Sequence, residues 1–186
     1  MLRTLAPALA LLLLAGCSSN QTRITGCSTF PKHAQPNTEV DILLEQSKIE
    51  GTLNAWHTAA SIGDFDRYFR SMTHDSIFLG TDATERWTKP QFMDYAREPF
   101  ADGHGWTYNP SQRHITVAHD GKTAWSDELL THDRYGTLRG TSVLVNINKH
   151  WKIAQYNLTF LVPNPIAKEV VELISTHPVS SSDTSH

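Results

Sequence analysis

Arg139-Gly-Thr-Ser-Val-Leu-Val-Asn-Ile-Asn-Lys-His-Trp-Lys-Ile-Ala-Gln-Tyr-Asn157 is the stretch on which the fold turns. Val143, Val145 and Ile147 alternate with other residues, and so do Trp151 and Ile153, with Asn148-Lys149 breaking the run between them. A period of 2 places successive side chains on opposite faces of a strand, so the segment reads as two strands joined by a tight turn. The same period extends upstream to Trp106 and downstream to Val162, and the turn-forming pairs Asp120-Gly121 and Tyr135-Gly136 divide the whole into four strands. Connections this short imply antiparallel neighbours.

Upstream the period changes. Val40, Leu43, Leu44, Leu53, Trp56 and Ala60 form a stripe near helical spacing that starts at a capping Thr38 and stops at Gly63. Asp64 caps a shorter helix through Phe65, Tyr68, Phe69 and Met72, and Ser76-Ile-Phe-Leu-Gly80 follows as a strand. Thr88-Lys-Pro-Gln91 has the spacing of a capping box with proline in the first turn, so a third helix begins there and Pro99 bounds it. After the strands, Asn164-Pro165 opens a last helix with Ile166, Val170, Val171 and Ile174. Helices gathered before a strand meander predict an α+β domain, with the helices on one face of a curved antiparallel sheet.

The first residues are of another kind. Arg3 precedes an apolar run from Leu5 to Gly16 that spans roughly 18 Å as a helix, short of the ~30 Å hydrocarbon core, so it reads as a signal-peptide core and not a membrane span. Leu14-Ala-Gly-Cys17 resembles the lipobox of bacterial lipoproteins. The resemblance implies cleavage before Cys17, lipidation of its thiol and acylation of the new amino terminus, two chains being what stable anchoring takes. It places the protein in the bacterial cell envelope; in a Gram-negative host, the absence of Asp after Cys17 resembles lipoproteins sorted to the outer membrane. The expected organisation is a signal peptide over 1–16, the lipidated cysteine and a flexible tether punctuated by Pro31 and Pro36 over 17–37, one domain over 38–175, and a Ser-rich disordered tail over 176–186.

Composition removes several classes. The 186 residues carry 16 Lys+Arg against 19 Asp+Glu, and removing Arg3 with the leader leaves 15 against 19, so neither nucleic-acid binding by phosphate neutralisation nor an electrostatic hold on lipid is expected. Two cysteines exclude a disulfide-stapled scaffold. None of the ten histidines falls in a metal-ligand pattern, and there is no phosphate-binding glycine loop or nucleophile elbow, so no metal and no cofactor is expected.

Three phrases in order, Phe78-Leu-Gly-Thr-Asp-Ala-Thr-Glu-Arg-Trp-Thr88, Ala124-Trp-Ser-Asp-Glu128, and Arg139 to Val145 with Trp151 to Asn157, make the region from about residue 39 to 162 similar to the SnoaL-like branch of the NTF2-like superfamily. The resemblance implies a cone, a bent sheet wrapped round helices with an open-ended cavity between. Members include polyketide cyclases, ketosteroid isomerases, dehydratases and binding or assembly modules, so the fold leaves the function open.

Candidate site residues follow from strand register. With Ile147 set opposite Trp151, Val143 faces Gln155, Thr141 faces Asn157 and Arg139 faces Thr159, a face grading from apolar to polar that suits a small amphipathic ligand. Trp87, and Trp56 from the first helix, are added to Arg139, Thr141, Gln155 and Asn157 as ligand-binding candidates. Cyclases of this fold use a carboxylate on a late strand, and none occurs between Asp133 and Glu169. Isomerases place theirs just after the first strand, which offers Asp82, either as a base beside Trp87 or as a turn-stabilising residue. Asp127 and Glu128 face opposite ways; Glu128 is favoured inward, paired with Arg139 as a ligand clamp or as a structural bridge. The leading expectation is a membrane-anchored domain binding a small, partly apolar ligand; the alternatives are a proton-transfer enzyme using Asp82 or Glu128 and a structural module, with a possible homodimer through the outer sheet face.

Overall fold

The structure, a computed structural model, describes residues 38–177, with side chains from Ile42 onward. Cys17, Cys27, the leader, the tether and the end of the tail lie outside the described residues. Helix α1 (Thr38–Ser61) buries Leu53, Trp56 and Ala60 as its spacing predicts, together with Ile49, whereas Leu43 and Leu44 of the expected stripe are exposed and the Val40 side chain lies outside the described ones. Gly63 ends it: the Asp64 N–H reaches the Ala59 carbonyl at 2.8 Å and the Gly63 N–H the Ala60 carbonyl at 3.2 Å, a closing pair that requires the left-handed conformation at φ +65°. A Cβ on Gly63 would also stand 2.7 Å from the Gly103 carbonyl carbon. Gly63→Ala is therefore expected to lower stability by about 2 kcal/mol or more, read from the urea midpoint; an unchanged midpoint would refute this account of the turn.

Asp64 then caps α2 (Phe65–Arg70) by accepting from the Arg67 N–H. Strand β1 (Met72–Leu79) pairs with a short β2 (Arg86–Thr88), which the sequence pattern did not suggest. Helix α3 (Lys89–Phe100) begins where Gln91 Oε1 accepts from the Thr88 N–H at 3.0 Å, and Pro99 lies within its last turn instead of bounding it. Four long strands follow: β3 (Asn109–Val117), β4 (Thr123–His132), β5 (Gly136–Ile147) and β6 (His150–Phe160).

The six strands make one sheet in the order β2-β1-β6-β5-β4-β3. The meander is antiparallel as expected, but β1 joins β6 in parallel, so the sheet is mixed and not wholly antiparallel. Helix α1 packs across β3 and β6, and α3 lies over β1 and β2. Between helices and sheet sits a core rich in rings: Phe78 stacks on Phe92 at 4.0 Å, Trp56 on Tyr68 at 4.7 Å, and Tyr156 lies 4.5 Å from Trp56. After a short 3-10 turn (Asn164–Ile166), α4 (Ala167–Thr176) has no buried residue and leaves Val171, Leu173 and Ile174 exposed.

Candidate functional site

Two β-bulges shape the interior. The β5–β6 turn is a two-residue one, with Asn148 at φ 52° and Lys149 at φ 68°, so Ile147 pairs with His150 and Leu144 with Ile153, one place away from the expected register. An extra residue on β6, Ala154, then shifts the pairing between Leu144 and Val143, after which Val143 meets Gln155, Thr141 meets Asn157 and Arg139 meets Thr159. A bulge reverses the parity of its strand. Trp151 and Ile153 point into the core before it; Tyr156 and Leu158 point in after it, with Leu138, Gly140, Ser142 and Leu144 on β5. Arg139, Thr141, Gln155 and Asn157 consequently lie on the outer face, and the wall expected of them is corrected: the inner wall is the alternate set.

The second bulge lies on β3, where Gln112 adopts φ 47° and both Gln112 and Arg113 fall between the pairs Ser111–Leu129 and His114–Asp127. It turns Arg113 towards Glu128, which is 1% exposed and inward as favoured. The connection from β4 to β5 pairs Glu128 with Gly140, so the expected Arg139 partnership is replaced by Arg113. Arg113 Nε donates to Glu128 Oε2 at 2.7 Å, with Nη2 2.6 Å from the same oxygen, while Nη1 donates to Asn54 Oδ1 at 2.7 Å. Glu128 Oε1 accepts from the Tyr156 hydroxyl at 2.8 Å and meets His57 Nε2 at 2.8 Å. A carboxylate only accepts, which assigns the His57 proton to Nε2. Burial pushes the Glu128 carboxyl up, but the His57 bond and the charge and bonds of His57, Arg113 and Tyr156 outweigh it and hold it below the ordinary 4.5.

Above this network the cone opens. A cleft of about 360 Å³ is walled by Trp87, Tyr95, Trp106, Tyr108, Tyr135 and Phe160, floored by Phe78, Phe92 and Leu158, and edged by Gly80, Thr81 and Glu85. It shares Phe78, Trp106, Tyr108 and Leu158 with a deeper void of about 10 Å³, space for about one water, that also touches Trp56, His57, Tyr68 and Tyr156. The Trp56 indole nitrogen and the Tyr68 hydroxyl are buried there without a hydrogen-bond partner among the described residues. Burial, then the nearby Tyr135, Tyr95 and Glu85, push the Tyr108 phenol up to about 12; burial and then Glu85 raise that of Tyr95.

Of the residues singled out from sequence, Trp56 sits at the deep end, Trp87 on the cleft wall and Glu128 beneath it. Asp82 is exposed and its carboxylate accepts from the Thr84 N–H at 2.8 Å and from the Thr84 hydroxyl, bonds that hold it below the ordinary carboxylate range. It stabilises the turn and is not among the residues lining the cleft. The pattern missed Arg113, whose inward aim depends on a bulge, and the wall tyrosines, which come from a helix, a strand approach and a turn. His57 did leave a signal: it lies four residues after Leu53, a polar residue inside an apolar stripe.

Among solved structures, the chain is similar to an NTF2-like protein of unknown function from Pseudomonas putida (13% identity over 63% of this chain and 87% of that one, TM-score 0.55). It is similar to a protein with a cystatin-like fold from Nostoc punctiforme (13% identity, 66% and 96%, TM-score 0.53). A third is an NTF2-like protein from Cytophaga hutchinsonii (18% identity, 62% and 98%, TM-score 0.52). Identities this low establish the cone fold alone. No curated protein matches the chain. The family model of the SnoaL-like domain matches residues 49–163, more than half of the 186 residues. With the cone, its bulged inner wall and that match in place, the chain belongs to the SnoaL-like family of the NTF2-like superfamily.

Proposed function

We propose that the domain is a binding module for a small, flat, largely apolar molecule, held in the cleft between Trp87, Tyr95, Trp106, Tyr108 and Tyr135, and that acylated Cys17 tethers it to a membrane of the bacterial envelope. The carrying observation is the cleft itself: six aromatic side chains surround about 360 Å³ that the core does not fill. Ring walls with a few hydroxyls at fixed places are what an aromatic or polycyclic guest requires. The anchor rests on Leu14-Ala-Gly-Cys17, and the outer face of β4, with Trp125 half-exposed, is the surface a homodimer would use.

Proton transfer by Asp82 or Glu128 is the weaker reading. Asp82 faces solvent, and Glu128 has both oxygens taken by Arg113, His57 and Tyr156. A carboxylate so stabilised is a poor base.

Binding of 2-naphthol, followed by tryptophan fluorescence, is expected to saturate, since Trp87 and Trp106 line the cleft. Tyr95→Ala, which removes one exposed wall, is expected to weaken it about two- to tenfold. A titration that shows no saturable change in either protein would end this reading. For the tether, Cys17→Ser is expected to shift the protein from the membrane to the soluble fraction; retention on membranes would argue against lipidation at that cysteine.

A further inference from the structure

The binding reading leaves the ligand's charge open, and the cleft's chemistry narrows it. We propose that the cleft selects an organic cation, a small molecule whose quaternary ammonium group sits among Trp87, Tyr95, Trp106 and Tyr108 against the carboxylate of Glu85. This inference rests on the cleft being a ligand site.

Three observations carry it. The first is the wall: aromatic faces attract a cation through their quadrupoles, and several rings around one void is the arrangement that binds ammonium groups lacking N–H donors. The second is the charge inventory. Glu85 is the one ionisable carboxyl on the cleft lining, and among the described residues no lysine, arginine or histidine lines it. His132, Asp133 and Arg134 border the adjoining hollow and not the cleft itself, and the Arg134 guanidinium lies 5.5 Å from the Tyr135 ring centroid. An anionic guest would meet Glu85 with no counter-charge on the cleft lining, whereas a cationic one would find its counter-charge there.

The third observation is that Glu85 is held in place. Its Oε2 accepts from the Asp82 N–H at 3.1 Å, its own N–H donates to the Asp82 carbonyl at 3.1 Å, and its carbonyl accepts from the Gly80 N–H at 2.8 Å. Gly80 makes the room: a Cβ there would overlap Glu85 Oε2 and stand 2.8 Å from its Cβ. Burial is the main cause that raises the Tyr95 and Tyr108 phenols, with Glu85 a smaller one behind it.

The test uses the full chain and two probes of equal shape, phenyltrimethylammonium and its uncharged carbon isostere tert-butylbenzene, titrated by tryptophan fluorescence at low salt. Phenyltrimethylammonium is expected to bind at least tenfold tighter. Glu85→Gln is expected to weaken the cation about tenfold and leave tert-butylbenzene within twofold; Gly80→Ala, which displaces the carboxylate without removing it, is expected to act in the same direction. Equal binding of the two probes to the unaltered protein overturns the cation inference and leaves the binding module standing. Binding of neither overturns both. The comparison on the unaltered protein decides even where a variant folds poorly, and a tenfold preference that survives Glu85→Gln in folded protein overturns the role of Glu85.

Discussion

Glutamine in place of Glu128 is expected to remove about 3 to 5 kcal/mol of folding free energy, a large part of the ~5–15 kcal/mol that holds a domain together. The substitution conserves shape but takes away the charge that faces Arg113, whose side chain is 7% exposed and whose other acidic neighbour, Glu50, stands 3.9 Å away. An amide also cannot accept from Arg113, His57 and Tyr156 through two oxygens as the carboxylate does. Removing both partners is expected to cost less: Glu128→Gln with Arg113→Met leaves no uncompensated charge, so the double variant should recover part of the loss in urea unfolding. A single-variant loss below about 1 kcal/mol would show that the pair is solvated and the network incidental.

The same pair sets an acid limit. The folded Glu128 carboxyl lies below the ordinary 4.5, so the unfolded chain takes up this proton first as pH falls. Its contribution is therefore full above about pH 4.5 and is lost as pH drops through the folded value. Stability measured against pH should fall on that side more steeply for the unaltered chain than for Glu128→Gln, and the two curves should converge. Parallel curves would place the acid sensitivity elsewhere.

Local rules read correctly wherever a local interaction decides the structure. The Asp64 cap, the Thr88–Gln91 start of α3 and the break at Asp120-Gly121 each depend on residues within a few places of one another, and each stands where the pattern put it. The inner wall depends on Ala154. Continuing the parity of Trp151 and Ile153 brings Gln155 and Asn157 inward, and a one-residue bulge brings Tyr156 and Leu158 instead. Nothing in Lys152-Ile-Ala-Gln155 announces that insertion, because it is fixed by packing against β5 and not by a turn residue. Arg113 was hidden for the same reason. The cleft was legible only in part, since Tyr95, Trp106 and Tyr135 belong to three separate segments that meet through tertiary packing.

Gly140 ties the wall to the network, and Gly140→Ala is expected to damage both. It sits on β5 opposite Glu128, on the inward face. A methyl group at this place would overlap the Tyr156 hydroxyl oxygen, lie 2.7 Å from Tyr156 Cζ and approach Leu130 Cδ1 at 3.2 Å. The ring is boxed in: it lies 4.5 Å from Trp56 and 6.0 Å from Phe78 by centroid, so it cannot swing aside without disturbing the cleft floor. Overpacking of this kind costs about 1–3 kcal/mol, and pushing the hydroxyl off Glu128 adds about 1–3 kcal/mol for a buried bond left unmade. An expected total of about 2–6 kcal/mol follows. Tyr156→Phe separates the two parts, losing the bond while keeping the ring, and Gly140→Ala combined with Tyr156→Phe should relieve only the overlap with the hydroxyl oxygen, the 2.7 Å approach to Cζ remaining. If Gly140→Ala unfolds at the midpoint of the unaltered chain and binds 2-naphthol as well, the close approach of β5 to Tyr156 is not what shapes this wall.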